Sequence, residues 1–574
     1  MNPADPHDRP RSYFLRLADL LPYIGITVIY LIAIVPAPGR PIPGGTFDDG
    51  LFFRLSTSLL NNQWLGSWDS LTLAKGPLHS ILSSLAFKAG LHVYAYKRLF
   101  YLIASLLFVA IGMGKARRWI SLLTLIALLT DPFLFGEGGM RNLREGTYIP
   151  LQIITFAIGL WILDELSNRH RPKPPVYVYL ASLGMGLSFG LLAITREARI
   201  LLWVEAGIFF LLAGYKLVAS KSRQKIASSA ISIALIALMA VLGIASPVVA
   251  LRSINSSHYG APISTNLEEG YLPKLYAKLA GIKLKGEQPI ARVTISEKTL
   301  AELRQSSANH KGTLASVIDH LDPSWKGYIC KMHPETCNEY GGGYMMWALR
   351  MSIGSLLPKG SDEADFQRLA RRAWEDAGSI CKSNSRLSCE SSNLGYFPSP
   401  SRWGFQNPLK EFGQELKPIL ARTMIPNPSP QGIPSFYAYN EWPPAAFIKL
   451  RLNSLGTRKI SLEESFRWTK STTFSRYLGA SAKGLMIILS LWGLVGVMQS
   501  FYLCLRDRSA EIWKSAPLDA GSTWLLFALI LHILVYAALG FTSFPGDLYV
   551  TMASPLYIGF MGRFIANHFT AASV

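Results

Sequence analysis

The chain has 574 residues, of which 50% are hydrophobic and only 16% charged, with a formal net charge of +20 and a mean hydropathy of +0.24. A soluble domain usually carries about 25% charged residues. The deficit is concentrated in long apolar runs. The composition therefore excludes an ordinary soluble protein and favours a protein with many membrane-spanning helices.

Ten apolar stretches approach the length that a membrane-spanning helix needs, about 20 residues. They are 18–36, 99–113, 119–135, 148–166, 176–194, 200–218, 227–250, 484–505, 522–541 and 550–565. The run 78–91 is short and amphipathic and contains Lys88, so we expect it to lie at the membrane interface. The sequence predicts an all-α polytopic membrane protein with about ten transmembrane helices plus interfacial helices.

Lys and Arg in short loops predict the orientation of such a protein. With ten spans, the basic loops fall on one side and the loops of mixed charge on the other. This predicts a multi-pass protein of the inner or plasma membrane with both termini in the cytoplasm. The segment 251–475 then lies outside the cytoplasm as an inserted domain, between membrane domains at 1–250 and 476–574. We expect it to be mainly helical, with helices at 296–305, 313–321, 345–357 and 362–380.

Four of the five cysteines lie in the inserted segment. Because the members of each pair are close in sequence, we expect disulfides between Cys330 and Cys337 and between Cys381 and Cys389. A zinc site is the alternative, since His333 lies between the first two cysteines. Neither pair has the spacing of about two to four residues that structural zinc sites use. Disulfides also fit an oxidising exterior.

Two adjacent carboxylates, Asp48 and Asp49, follow a Pro- and Gly-rich turn after the first span. Near lipid, one of two repelling carboxylates gains proton affinity unless a cation lies close. The pair therefore predicts a general base. The alternative is a helix N-cap, because Asp is favoured before an apolar helix such as the run that begins at Leu51.

Basic side chains from three other segments are predicted at the same membrane face. Lys75, in a Lys-Gly-Pro turn, is a candidate phosphate contact, and a snorkelling interfacial lysine is the alternative. Arginines in two short loops suit bidentate binding of a lipid phosphate. These arginines are Arg141, Arg144, Arg196 and Arg199. For the second loop, 195–199, a structural ion pair that closes the turn is the alternative. Candidate supporting residues are Glu145, Glu197, Tyr148 and Tyr549.

The stretch from Phe47 to Phe52, taken with that from Leu73 to Pro77, resembles the GT-C superfamily of membrane glycosyltransferases. In that superfamily an acidic pair in the first extracytoplasmic loop precedes interfacial helices and a Lys-Gly-Pro turn. The resemblance covers the membrane domain and implies a GT-C-like fold. The run from Gly341 to Arg350 looks like part of a lineage-specific insertion. The sequence at 546–549 departs from the Arg-Tyr pair of relatives.

The resemblance implies transfer of a sugar, with inversion, from a polyprenyl-phosphate donor to a glycan, lipid or protein acceptor of the cell envelope. Carried over, Asp48 matches the base that deprotonates the acceptor hydroxyl, and Asp49 assists it or binds a divalent cation, Mg or Mn. Lys75 matches the donor-phosphate contact. No other cofactor is expected. The expected partners are the membrane, the lipid-linked sugar and the acceptor, with no nucleic acid.

Two other classes of protein remain open. A transporter or flippase of a lipid-linked saccharide predicts charged residues at mid-membrane and broken helices in paired halves. The sequence instead predicts charges at the ends of spans. A non-catalytic envelope assembly protein predicts that the inserted domain is the working part and that the charged loops are structural.

Overall fold

The computed structural model describes residues 17–35, 48–91, 93–114, 116–131, 134, 139, 141–167, 174–219, 226–327, 330, 333–390, 408–424, 519–542 and 553–571. Within these ranges the protein is mainly helical, and nine of the ten predicted spans coincide with helices. The predicted span at 484–505 and the candidate residue Tyr549 lie outside the described residues.

The N-terminal membrane part contains nine described helices. They are α1 (Leu17–Ala33), α2 (Asp49–Leu60), α3 (Leu78–Lys88), α4 (Val93–Leu107, continued by a π-helical turn, Phe108–Gly112), α5 (Arg118–Leu129), α6 (Glu145–Leu166), α7 (Val176–Ala193), α8 (Arg199–Ala219) and α9 (Ile226–Tyr259). The helix α9 runs without a break past residue 250, where the sequence places the start of the inserted segment.

The inserted segment has its own apolar core, formed by residues between Leu267 and Leu387, whereas Ile419 near its C-terminal end packs in the core of the membrane helices. It contains α10 (Tyr271–Ala280), α11 (Glu297–Asn309), α12 (Thr313–Asp319), α13 (Tyr344–Ser355), α14 (Glu363–Ser383) and α15 (Pro408–Met424), with β1 (Ile282–Leu284) antiparallel to β2 (Leu387–Cys389). The four predicted helices are confirmed to within a few residues. Both predicted disulfides, Cys330–Cys337 and Cys381–Cys389, are confirmed.

Two further helices, α16 (Ala520–Thr542) and α17 (Ser554–Ala571), follow near the C-terminus and pack on each other and on α15. Among the described residues, six helices are long and apolar enough to cross a membrane. They cover 93–112, 145–166, 176–193, 199–218, 230–259 and 520–538. The predicted crossings at α1 and α5 are apolar but shorter helices. A membrane protein is therefore supported, and the count of ten crossings stays a prediction.

Charged side chains gather at opposite ends of α6, which has 22 residues and therefore spans roughly 33 Å, about the thickness of a bilayer core. Glu145 begins α6 in one charged cluster, described below. Asp164, near its other end, binds Arg563 of α17, which also binds Asp519 at 2.6 Å and the Gly112 carbonyl oxygen at 2.5 Å. The basic loops of the sequence predict that Arg563 lies on the membrane side opposite the predicted site. In the structure, the cluster around Glu145 and the cluster around Arg563 lie at opposite ends of α6.

We expect Arg563→Leu to destabilise the membrane domain strongly. Arg563 is 3% exposed, so its removal leaves two carboxylates without their cation, and breaking a buried pair costs about 3–5 kcal/mol. The matched control is Arg371→Leu, because Arg371 is 58% exposed and pairs with Glu375 on one helix face, where such a pair contributes less than about 1 kcal/mol. The thermal unfolding midpoint of the purified protein should fall for the first variant only, and equal shifts would contradict the assignment.

Candidate active site

Asp48 lies in the N-cap position of α2, but its side chain makes no capping hydrogen bond. Instead the Lys75 ammonium donates to the Asp48 carboxylate, and Arg141 Nη2 lies 3.6 Å from Asp48 Oδ2. The Asp48 side chain keeps 43% of its surface exposed. The carboxylate is therefore placed toward basic groups and solvent and does not serve as a helix cap.

Asp49, the next residue, is fully buried and holds a different set of donors. Arg141 donates from Nε at 2.9 Å and from Nη2 at 2.7 Å to Asp49 Oδ2, and the Asn142 amide donates at 2.7 Å to Oδ1. A divalent cation at Asp49 would lie against the Arg141 guanidinium, which these contacts do not favour. No group of three His, Cys, Asp or Glu side chains suited to a metal occurs among the residues that the structure describes.

The two carboxylates differ in proton affinity. Burial acts to raise the pKa of Asp48, but the neighbouring Lys75 ammonium and Arg141 guanidinium outweigh it and hold the pKa below its ordinary value. Burial raises the pKa of Asp49 above its ordinary value, against the opposing effect of Arg141 and the Asn142 amide. Asp48 is thus ionised at neutral pH and is the more accessible of the two.

Lys75 is buried rather than snorkelling, with 7% of its surface exposed. Its Nζ lies 5.7 Å from the ring centroid of Phe52 and 5.6 Å from that of Trp347. The next residue, Gly76, packs directly on the Ile194 carbonyl group, so that a Cβ at this position would collide with the backbone. This close approach explains the glycine of the Lys-Gly-Pro turn and sets the turn against the loop between α7 and α8.

The two predicted arginine loops pair with each other reciprocally. Arg144 Nη1 lies 2.6 Å from Glu197 Oε2, and Arg196 Nη1 lies 2.9 Å from Glu145 Oε1. Burial acts to raise the pKa of Glu197, but Arg144 outweighs it and holds the pKa below its ordinary value. The guanidinium of Arg196 lies 5.9 Å from the ring centroid of Tyr148. These pairs connect the start of α6 to the loop between α7 and α8.

Arg199, the fourth predicted arginine, pairs with the first loop of the inserted segment. Its Nε lies 3.0 Å from Glu268 Oε2, and its Nη1 contacts Glu269. Burial raises the pKa of Glu268 to about 8, against the effect of Arg199. All four predicted phosphate-binding arginines therefore face carboxylates, and an incoming phosphate must share or exchange these partners.

Besides Trp347, which contacts Lys75, three residues that support the site were missed by sequence reasoning. The backbone amide of Asn142 donates to Asp49. The Nε2 atom of buried His79 lies 3.0 Å from Asn142 Oδ1. Burial lowers the pKa of His79 to about 3, so the ring is neutral. Lys97 donates to the carbonyl oxygens of Gly139 at 3.0 Å and Arg141 at 2.5 Å. Lys97 was missed because the predicted span begins at residue 99, whereas α4 begins at Val93.

An ionisable pair lies inside the membrane helices, where the sequence predicts charges only at span ends. Glu205 of α8 and His532 of α16 are fully buried, with Oε1 and Nδ1 3.1 Å apart. Gln152 Nε2 of α6 lies 2.8 Å from His532 Nε2. The expectation that ionisable residues lie only at the ends of the spans is therefore wrong for this pair. Each residue is a single polar position within a long apolar run, and the sequence does not show that the two meet.

A double-mutant cycle tests whether Arg144 and Glu197 act as one unit. We expect Arg144→Leu and Glu197→Leu each to lower stability by about 3 kcal/mol, since each leaves a buried charge unpaired. The double variant should cost less than the two together, with a coupling of about 1–3 kcal/mol. Thermal unfolding of the four proteins measures this coupling. Additive losses would show that the two side chains do not depend on each other.

Comparisons with known proteins give weak similarities. No protein-family model and no curated protein matches the chain. The chain is similar to the crystal structure of ArnT from Cupriavidus metallidurans in the apo state, with 12% identity and a TM-score of 0.28 over 96% of this chain and 77% of that one. The same enzyme bound to undecaprenyl phosphate matches with 13% identity and a TM-score of 0.30 over the same shares. Both scores are too low to define a shared fold, so the site is interpreted from its own geometry.

Proposed function

We propose that the protein is a membrane glycosyltransferase that moves a sugar from a polyprenyl-phosphate donor to an extracytoplasmic glycan, lipid or protein acceptor. The observation that carries the proposal is the arrangement of Asp48. Its carboxylate is partly exposed and ionised, it is held by buried Lys75, and it lies beside the buried Asp49–Arg141 pair. One carboxylate is thus accessible to substrate while its neighbour holds the Arg141 guanidinium.

The proposed reaction needs one proton transfer and one bond exchange. The acceptor hydroxyl oxygen attacks the anomeric carbon of the sugar, and its proton passes to Asp48. The bond between that carbon and the phosphate oxygen breaks, and the lipid phosphate leaves with the electron pair. Because this leaving group is already a stable anion, no strong general acid is required. Attack opposite the leaving group inverts the anomeric centre.

Lys75 couples donor binding to base strength in this proposal. In the structure its ammonium neutralises Asp48 and keeps the pKa of that carboxyl low. A donor phosphate is a stronger anionic partner for the ammonium. As Lys75 turns to the phosphate, Asp48 loses its nearest cation and its proton affinity rises. The base therefore becomes active only when the donor is bound.

The arginines have unequal positions relative to the proposed phosphate. Arg141 is best placed to share it, since its Nη2 lies 3.6 Å from Asp48 Oδ2. Arg144, Arg196 and Arg199 are proposed as outer contacts that exchange a carboxylate for the phosphate as the donor enters. The Asp49 site does not fit a divalent cation, because both of its oxygens accept from Arg141 and Asn142, and no step is assigned to one.

A flippase for a lipid-linked saccharide is the second candidate, favoured by the buried Glu205–His532 pair inside the membrane helices. Intramembrane ionisable residues commonly mark transport pathways. Mass analysis of envelope glycans and lipids, with and without the gene, separates the two. For a transferase, we expect the envelope of cells without the gene to lack a sugar and the donor lipid to accumulate on the outer leaflet. Accumulation on the inner leaflet would support the flippase and overturn the transferase.

A further inference from the structure

The inserted segment contributes a side chain to the candidate site. Trp347 lies on α13, in the run from Gly341 to Arg350 whose role the sequence leaves unassigned. Its ring centroid lies 5.6 Å from Lys75 Nζ, on a helix that is distant in sequence from the first loop. The ring is partly buried. It therefore forms part of the wall around Lys75, the residue that holds Asp48.

The approach of α13 to the site is fixed by contacts on the same side of the inserted segment. Ser70 Oγ lies 3.5 Å from Met351 Sδ, and Gly354 packs on Ser70 so closely that a Cβ there would collide. Trp68 Nε1 donates to Glu363 Oε2 at 2.9 Å, which ties the loop before Lys75 to α14. Trp347 is thus held in place rather than brought near by a loose loop.

We propose that Trp347 is a stacking surface for a sugar ring bound at Lys75 and Asp48. This inference rests on the proposed transferase function and adds the residue that positions the carbohydrate. A sugar has polar edges and faces of C–H bonds, and such a face packs against a rigid aromatic ring at low entropic cost. A ring on Trp347 places its hydroxyl or phosphate edge beside the charged pair.

A role confined to Lys75 is the competing explanation, since an aromatic ring also stabilises an ammonium group by a cation–π interaction. The two roles predict different kinetics. If Trp347 acts through Lys75, its removal changes the charge balance at Asp48 and moves the acid limb of the pH profile of kcat/KM. If Trp347 stacks on the sugar, the acid limb stays in place and the KM for a sugar substrate rises.

Trp347→Leu, assayed in the full-length purified protein with a polyprenyl-phosphate sugar, tests the inference. We expect the KM of one sugar substrate to rise about tenfold, with the acid limb unmoved. A rise in the donor KM places the donor sugar on Trp347, and a rise in the acceptor KM places the acceptor there. The control is Trp374→Leu, since Trp374 packs on Tyr271 at 5.9 Å between ring centroids and should leave both constants unchanged.

Unchanged KM values, or an acid limb that moves with Trp347→Leu, would overturn the stacking role. If the leucine variant does not fold, Trp347→Phe tests the stacking role instead. Its smaller ring should raise the same KM by about threefold, and an unchanged KM would overturn the stacking role. Asp48→Asn in the same assay separates the two proposals. If Asp48→Asn is inactive while the Trp347 variants behave as wild type, the result supports the transferase function and contradicts the stacking role of Trp347.

Discussion

Asp48→Asn is expected to abolish sugar transfer, lowering kcat/KM by about 10²–10⁴-fold, the range that a general base contributes. The amide keeps the size of the side chain but cannot accept the hydroxyl proton. Asp48 is the residue of choice because its carboxylate is exposed and ionised, whereas Asp49 is buried under Arg141 and Asn142. Transfer from a labelled lipid-linked sugar measures the loss.

Asp319→Asn is the matched control for this experiment. Asp319 is 41% exposed and pairs with the exposed Arg304, so it matches Asp48, which is 43% exposed and paired with the buried Lys75, in the exposure of the carboxylate. We expect full activity from the control and comparable expression of both variants. Only Asp48→Asn should lower the thermal midpoint, because it leaves the buried Lys75 ammonium without its carboxylate partner. Normal transfer by Asp48→Asn would show that Asp48 is not the base.

Lys75→Met is expected to weaken donor binding on the order of 100-fold, since truncating one partner of a buried charge pair costs about 2–5 kcal/mol. It should also move the acid limb of kcat/KM to higher pH. In the wild type the ammonium holds the pKa of Asp48 below its ordinary value, although burial acts to raise it. Without the ammonium the effect of burial gains weight, so Asp48 protonates at higher pH. The pH dependence of kcat/KM reports this group in the free enzyme.

Lys326→Met is the control for Lys75. Lys326 also lies over an aromatic ring, 5.2 Å from the centroid of Tyr340, and pairs with Glu297 at 3.0 Å. Its removal should leave donor KM and the pH profile as in the wild type. A Lys75→Met protein with an unchanged acid limb would contradict the coupling between Lys75 and Asp48.

Much of the fold follows from local sequence signals. Apolar runs of sufficient length predict helices wherever they occur, and nine of the ten fall on helices of the structure. The disulfide pairing was predictable because cysteines seven and eight residues apart close small loops easily. Helix ends were less certain. The helix α4 begins at Val93, whereas the predicted span begins at residue 99. The prediction started late because Lys97 and Arg98 interrupt the apolar run, although both side chains are buried by partners elsewhere in the chain.

The site was predicted as a set of residues but not as a set of pairs. Charge and position indicate that Asp48, Lys75 and Arg141 lie at one membrane face, but no local sequence signal indicates that Arg141 pairs with Asp49. Long-range partners decide such choices, as they do for Arg199, which pairs with Glu268 of the inserted segment. Trp347 was missed for the same reason, since its contact with Lys75 spans the chain from the first loop to the inserted segment.

The most direct measurement uses purified protein in lipid vesicles with a polyprenyl-phosphate sugar labelled in the sugar, and with envelope glycan or lipid extract as the acceptor. We expect the label to leave the polyprenyl lipid for the acceptor, free polyprenyl phosphate to appear in equal amount, and Asp48→Asn to stop both. Label that stays on the polyprenyl lipid with wild-type protein, or that merely changes leaflet, would contradict the proposed function.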